Sequence, residues 1–183
     1  MAFALASQFA GRGVGPGPLA QASAAGATEL AEIVAAVIEE ACVGETLSAL
    51  EVAEAAARAE DPGLRRALER IAADEQRHAE LGWRFVQWAL AGASAELRGR
   101  AQERFAAAIS AAEASAERMS HETGDSRLRG YGVIDAPLRA TVWRAGLRGL
   151  VTPAAASLRA AHGDPTIAGT GSRSVRGMSI PRP

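Results

Sequence analysis

Two residues with metal-ligand chemistry, Glu75 and His78, lie three positions apart in the segment Ala72–Leu81. On an α-helix this spacing separates two side chains by about 60° around the axis and by roughly 4.5 Å along it, so both can reach one ion. Carboxylate and imidazole together suit iron or manganese. The pair therefore predicts half of a metal site, which needs a further carboxylate from another helix.

The break at residues 60–63, Glu-Asp-Pro-Gly, predicts that two long helical patterns fold back on each other as an antiparallel hairpin. In such a hairpin, the numbers of two residues that lie opposite each other add up to a nearly constant value. A turn centred on this break places Glu75 opposite residues near 47 and His78 opposite residues near 44. Glu45 is the acid that fits this register.

The apolar positions around these residues favour one shared face. Glu40 and Glu51 fit less well as ligands, because α-helical geometry rotates them by about 140° and 120° away from Glu45. A buried carboxylate without a cation or partner is costly, so two acids and a histidine at one level indicate a metal. The two apolar seams are Val34, Ile38, Cys42, Glu45, Ala49, Val52 and Ala56 on the first helix, and Leu68, Ile71, Glu75, His78, Gly82, Phe85 and Ala89 on the second.

Composition limits the other classes of function. The 183 residues suit one domain, and a formal net charge of -1 gives no electrostatic case for binding nucleic acid or an anionic membrane. Every basic residue is arginine, which excludes Schiff-base chemistry on lysine and a phosphate-binding Walker loop. The single Cys42 cannot form an intrachain disulfide, in keeping with the cytoplasmic location that we expect.

The chain divides into three predicted parts. Residues 1–27 read as the end of a helix followed by a Gly- and Pro-rich crossover loop, residues 28–162 as a helical domain, and residues 163–183 as a disordered tail. Within the domain we expect helices at about 28–59, 62–90, 94–123 and 136–161, the last restarting at Thr152-Pro153.

The motif Asp74-Glu75-x-x-His78, with Glu45 thirty residues upstream, resembles the second half of ferritin-like di-iron carboxylate proteins, among them bacterial ferritin-like domain proteins. Those proteins take one Glu from each of two helices and one Glu-x-x-His from each of two others, which together hold two metals. The resemblance implies an all-α, ferritin-like helical bundle that is incomplete at its N-terminus. Its parts would be the helix hairpin at 28–91 and additional C-terminal helices.

The resemblance also implies iron chemistry, with manganese as the other metal to consider. It implies oxidation of Fe(II) by oxygen or peroxide at a carboxylate-bridged pair, with Glu45 as terminal or bridging ligand, Glu75 as bridge and His78 as terminal ligand. No second Glu-x-x-His occurs in the chain. The other half would therefore precede Met1 in a longer protein or come from a second copy in a homodimer. The alternative is a non-catalytic helical scaffold or interaction protein that has lost the metal site.

Several residues carry two interpretations. Asp74 either orients a histidine across the bundle or is a solvated acid. Cys42 is better explained as a small buried hydrophobe than as a ligand or redox thiol. Glu117 and His121 are four apart, but their helix is polar around them and offers no third ligand. The apolar seams need a cover, which is either residues 94–161 or a second copy.

Overall fold

A computed structural model of the chain describes residues 2–17 and 29–161, and every regular element within those ranges is helical. The all-α prediction is confirmed for that part of the chain. The predicted tail lies outside these ranges, as does residue 28, where the first long helix was expected to begin. The α-helices are α1 (Ala2–Ala10), α2 (Leu30–Val37), α3 (Thr46–Arg58), α4 (Pro62–Leu90), α5 (Ala95–Ser120), α6 (Ala136–Gly146) and α7 (Thr152–Ala161).

Two π-helical segments and one 3₁₀-helix connect these elements. The first π segment, Ile38–Glu45, joins α2 to α3, so that the three form one continuous rod. The second, Leu147–Val151, joins α6 to α7, and the 3₁₀-helix Ser126–Tyr131 lies between α5 and α6. The expected start at Thr152-Pro153 is confirmed as the first residues of α7, but no break precedes it, because the wider π turns carry the helix up to a proline that has no N–H to donate.

The predicted hairpin forms between this first rod and α4. Asp61 caps α4, since its Oδ1 accepts from the backbone N–H of Leu64 at 2.7 Å, and Pro62 occupies the first helical turn. Across the turn, Arg65 donates to the carbonyl of Ala59 at 2.7 Å. The rods pack most closely at Gly82, where a Cβ would lie 2.4 Å from the Cβ of Ala41. Only glycine allows this approach.

The core lies toward the end of the hairpin that is remote from its turn. There α5 packs across the π segment, and the indole of Trp83 stacks on Phe105 with ring centroids 5.4 Å apart. Two buried clusters share Trp83 at their edge. The first contains Val34, Ile38, Cys42, Val86, Ala89, Leu90, Ala101 and Phe105, and the second contains Val43, Leu47, Ala108, Ala112, Leu147 and Val151.

The helix α6 is held to α3 by polar contacts as well as by packing. Arg139 Nε lies 2.9 Å from Glu51 Oε2, and the indole N–H of Trp143 donates to the other oxygen of the same carboxylate. A Cβ at Gly146 would lie 2.4 Å from Leu50 Cδ1, so α6 approaches α3 closely. These contacts occupy Glu51, which agrees with its rejection as a metal ligand.

Residues 95–161 cover only part of the predicted seams. On the side of the site remote from the turn, the buried seam residues are Val34, Ile38, Cys42, Gly82 and Ala89. Three other seam residues are only half-buried: Leu68, Ile71 and Phe85. The side chain of Trp88 on α4 is 67% exposed. Among the described helices, none combines the length and apolarity needed to cross a membrane.

Two glycine-to-alanine substitutions should change stability in opposite directions. Gly82→Ala places a Cβ against the Cβ of Ala41, and neither atom can rotate away, so we expect a loss of about 1–3 kcal/mol. Gly99→Ala, inside α5, meets nothing within 4 Å and should gain about 1 kcal/mol from helix propensity. Denaturant unfolding of both variants measures this. A Gly82→Ala variant as stable as wild type would contradict the close packing.

Candidate metal centre

The hairpin brings the three residues predicted as ligands to one level. One ligand atom from each of Glu45, Glu75 and His78 lies within 4.8 Å of the other two. The index-sum argument therefore selected the acid on the first rod that does approach Glu75 and His78. Whether the three residues bind a metal stays a prediction.

Glu45 owes its position to the π segment, of which it is the last residue. A side chain at the neighbouring Gly44 would bring a Cβ within 3.2 Å of the carbonyl oxygen of Glu39, so the wide turn favours glycine there. On the other side, Thr46 Oγ1 donates to the carbonyl of Cys42 at 2.7 Å and accepts from the indole N–H of Trp83 at 3.2 Å. These contacts connect the turn that carries Glu45 to α4.

The pKa of Glu45 is raised, mainly by hydrogen bonding to Glu75. Partial burial and the charge of Glu75 raise this pKa further, while His78 lowers it. Two carboxyl groups at one position favour a state in which one of them keeps its proton. His78 Nδ1 lies 3.6 Å from Glu75 Oε2, which is longer than a normal hydrogen bond. The cluster is thus short of positive charge.

The donor set fits one transition-metal ion. Ligand atoms about 2.1 Å from an ion lie no more than about 4.2 Å apart, so separations within 4.8 Å need only small side-chain rotations. Two carboxylates with one imidazole suit iron or manganese. Within the described residues, no other group of three acids, histidines or cysteines converges in this way. Three ligands can hold one ion with open positions, but they cannot enclose two.

The site is more open than the seam pattern predicted. The side chain of Glu75 is 25% exposed, but that of His78 is 63% exposed, so the expectation of a core-facing histidine is wrong. The reason is that α5 and α7 pack farther along the hairpin and α6 packs on α3, which leaves this side of α4 uncovered. The imidazole therefore faces solvent, and small molecules can reach the cluster from that side.

Glu40 was rejected because five residues of α-helix rotate it away from Glu45, yet its charge does raise the pKa of Glu45. Both residues belong to the π segment, where each backbone N–H bonds five residues back instead of four. Residues five apart are therefore closer to one face than α-helical geometry implies. The available signal was Gly44, a residue that is unfavourable in an ordinary helix interior.

The remaining candidates have structural roles. Asp74 forms an exposed ion pair with Arg77, which agrees with the solvated-acid interpretation. Burial raises the pKa of the Cys42 thiol to about 12, so it packs as an inert hydrophobe. Glu117 lies 3.0 Å from His121 and also pairs with Arg144, and these two partners, His121 first, lower its pKa.

Comparisons with protein-family models, curated proteins and solved structures found no match for this chain. The resemblance to ferritin-like proteins therefore depends on the Glu-x-x-His motif and on the hairpin register. No related protein therefore indicates an activity or a binding partner for this chain.

Replacing Glu45 by glutamine should stabilise the metal-free protein at neutral pH. The amide keeps a hydrogen bond to Glu75 and removes the second negative charge, so we expect a melting temperature about 2–4 °C higher, equivalent to about 1 kcal/mol. Thermal unfolding in a chelator measures this shift. Glu103→Gln, at an exposed position on α5, is the control and should change little.

The difference in stability between wild type and Glu45→Gln should depend on pH. Because the folded-state pKa of Glu45 is raised, the native protein holds its proton more tightly than the unfolded chain. Wild type should therefore lose stability as the pH rises from the ordinary glutamate pKa through the raised one, and Glu45→Gln should not. The difference should vanish in acid, below the ordinary glutamate pKa. A difference independent of pH would contradict the raised pKa of Glu45.

Proposed function

We propose that this protein binds one divalent transition-metal ion per chain, iron before manganese, through Glu45, Glu75 and His78. The observation that carries the proposal is the convergence of two carboxylates and an imidazole from two helices within 4.8 Å. The raised pKa of Glu45, caused mainly by hydrogen bonding to Glu75, adds support, because a cation at this position would stabilise both carboxylates. The metal would relieve the repulsion that the hairpin imposes.

The fold proposed with this function is half of a ferritin-like bundle. The hairpin of the first rod and α4 corresponds to one helix pair, which would contribute one Glu and one Glu-x-x-His to a di-iron centre. The residues of a second half-site are not in this sequence. A di-iron centre, and the location of the protein in the cytoplasm, belong to this proposal.

Bound iron would supply one-electron chemistry with oxygen or peroxide. The chain's own groups have simpler roles. Glu45 would have to release the proton that its raised pKa favours when the ion binds, and His78 would have to be neutral to present a nitrogen lone pair. The exposed side of His78 leaves coordination positions accessible to water and to a small oxidant. We therefore propose Fe(II) oxidation as the reaction.

The second candidate is a helical scaffold that has lost the metal site. The incomplete ligand set favours it, because three ligands of which one is mostly exposed bind weakly. The two candidates differ in one property, which is specific metal binding at Glu45, Glu75 and His78.

Calorimetric titration with Mn(II) under conditions that keep the protein monomeric should show weak binding of one ion per chain. His78→Ala should lower the affinity by at least about tenfold, because a ligand is lost. His121→Ala, which removes the surface imidazole beside Glu117, is the matched control and should leave the affinity unchanged. An equal loss in both variants would contradict the site, and tight binding by a verified monomer would mean that ligands have been missed.

Oxidation of Fe(II) in air tests the reaction itself. The wild-type protein should convert Fe(II) to ferric iron faster than Glu75→Gln, which keeps the size of the side chain but removes a charged ligand. The rate is followed by optical absorbance after anaerobic loading. Wild-type and variant rates that both equal the rate without protein, despite bound metal, would support binding without oxidation.

A further inference from the structure

A single hydroxyl group joins the turn that carries Glu45 to the packed core. Thr46 follows Glu45 directly in the chain, and its Oγ1 donates to the carbonyl of Cys42 at 2.7 Å. The same oxygen accepts from the indole N–H of Trp83 on α4 at 3.2 Å. A hydroxyl has one proton to donate and two lone pairs, so it makes both bonds at once. A chain of hydrogen bonds therefore runs from the indole to the backbone of the π segment.

The end of the π segment gives this hydroxyl a role that it would lack in an α-helix. In an α-helix the backbone N–H of residue 46 donates to the carbonyl of residue 42, four positions back. Here the backbone N–H of Thr46 donates to the carbonyl of Val43, and it is the hydroxyl that reaches the carbonyl of Cys42. The side chain thus takes over a hydrogen bond that the backbone gives up where the wide turn ends.

The indole at the other end of the chain is held by the helix that covers the hairpin. The ring of Trp83 stacks on that of Phe105 on α5, with centroids 5.4 Å apart and an angle of 12° between the ring planes. Both buried clusters of the core pack against this indole. Side chains on a helix lean toward its N-terminus, so the indole reaches back along α4 toward the level of Glu75. Trp83 is therefore a fixed point against which the first rod is held.

The hydrogen bond of Thr46 and the proposed ligands lie on different sides of the hairpin. Consecutive residues of a helix are about 100° apart around its axis, so Thr46 and Glu45 point in different directions from the first rod. On α4, Trp83 is about 80° around the axis from Glu75 and about 140° from His78. The indole is thus on the side that α5 covers, and the imidazole is on the side that faces solvent.

We propose, building on the proposed metal binding, that Thr46 is a positioning residue that holds Glu45 at the metal centre. The contact of Gly82 with Ala41 fixes how closely the two rods approach. The hydroxyl of Thr46 fixes how the first rod is rotated about its axis, because it ties that rod to an indole that α5 holds in place. This rotation directs the carboxylate of Glu45 toward Glu75. Thr46 acts through Glu45 and is not itself a ligand.

Calorimetric titration with Mn(II) compares two substitutions of Thr46. Thr46→Val keeps the branched shape and removes the hydroxyl, whereas Thr46→Ser keeps the hydroxyl. We expect Thr46→Val to bind Mn(II) at least about tenfold more weakly than wild type, which is the usual effect of losing a group that orients a metal ligand. Thr46→Ser should bind nearly as tightly as wild type. Equal weakening in both variants would show that packing, and not the hydroxyl, is what matters, and would overturn the proposal.

Thr141 provides the matched control. It is exposed on α6, and its Oγ1 donates to the carbonyl of Pro137, also four residues back, at 3.0 Å. Thr141→Val therefore removes the same kind of hydrogen bond at a position remote from the metal centre. Its affinity for Mn(II) should equal that of wild type. A loss as large as that in Thr46→Val would contradict a role specific to Thr46.

Trp83→Phe tests the other end of the hydrogen-bond chain. It keeps a ring that can stack on Phe105 and removes the N–H that Thr46 accepts. We expect weaker Mn(II) binding. Combined with Thr46→Val, it should lower the affinity by less than the product of the two separate fold-changes, because both substitutions break the same chain. If Thr46→Val does not fold, Trp83→Phe decides alone, and an affinity equal to that of wild type would overturn the proposal.

A crystal structure of metal-free Thr46→Val separates this proposal from the proposed function. In wild type, ligand atoms of Glu45, Glu75 and His78 lie within 4.8 Å of one another. In the variant, the carboxylate of Glu45 should lie outside that distance from the other two. A carboxylate that has not moved, or Thr46→Val that binds Mn(II) as tightly as wild type, would overturn the positioning role and leave the proposed function standing. A displaced Glu45 together with no Mn(II) binding by wild type would overturn the proposed function and support the positioning role.

Discussion

The contact between Gly82 and Ala41 sets the distance and the level at which the two rods of the hairpin pack. A Cβ on residue 82 would lie 2.4 Å from that of Ala41, so any larger residue forces the helices apart. Beyond this contact the rods are buried by α5 and α7. On the side of this contact nearer the turn, close packing brings Glu45 and Glu75 together at one level. No covering helix separates these two acids from water there.

That arrangement brings like charges together at a position where they do not stabilise the fold. A structural hairpin would have apolar residues at this level, as it does around Val86 and Ile38. Here hydrogen bonding to Glu75, partial burial and the charge of Glu75 raise the pKa of Glu45. Groups that perturb each other in an accessible cluster are typical of functional sites. The proposed divalent cation would account for both acids and for the adjacent imidazole.

Local rules predicted much of this from the sequence. Pro62 with the Asp61 cap, and Ser94, whose Oγ accepts from the N–H of Leu97, are unambiguous helix starts, and both are confirmed. The register that selected Glu45 followed from one turn and two straight rods. An error of a few residues in this register does not change the choice of Glu45, because the side chains are long enough to reach from one helix of the hairpin to the other.

The failures have physical causes as well. Two π segments have a hydrogen-bond pattern that an assumed period of 3.6 residues cannot represent. The exposure of His78 depends on where α5, α6 and α7 pack, which is a long-range property. The seam pattern predicts burial over its whole length, but Leu68, Ile71 and Phe85 are only half-buried.

A crystal of the protein soaked in Fe(II) without oxygen, with diffraction recorded on both sides of the iron absorption edge, tests the central claim most directly. The anomalous difference density should show iron within about 2.0–2.3 Å of carboxylate oxygens of Glu45 and Glu75 and of a ring nitrogen of His78. Iron at Glu117 and His121 instead, or a site without iron in which these three side chains point apart, would contradict it.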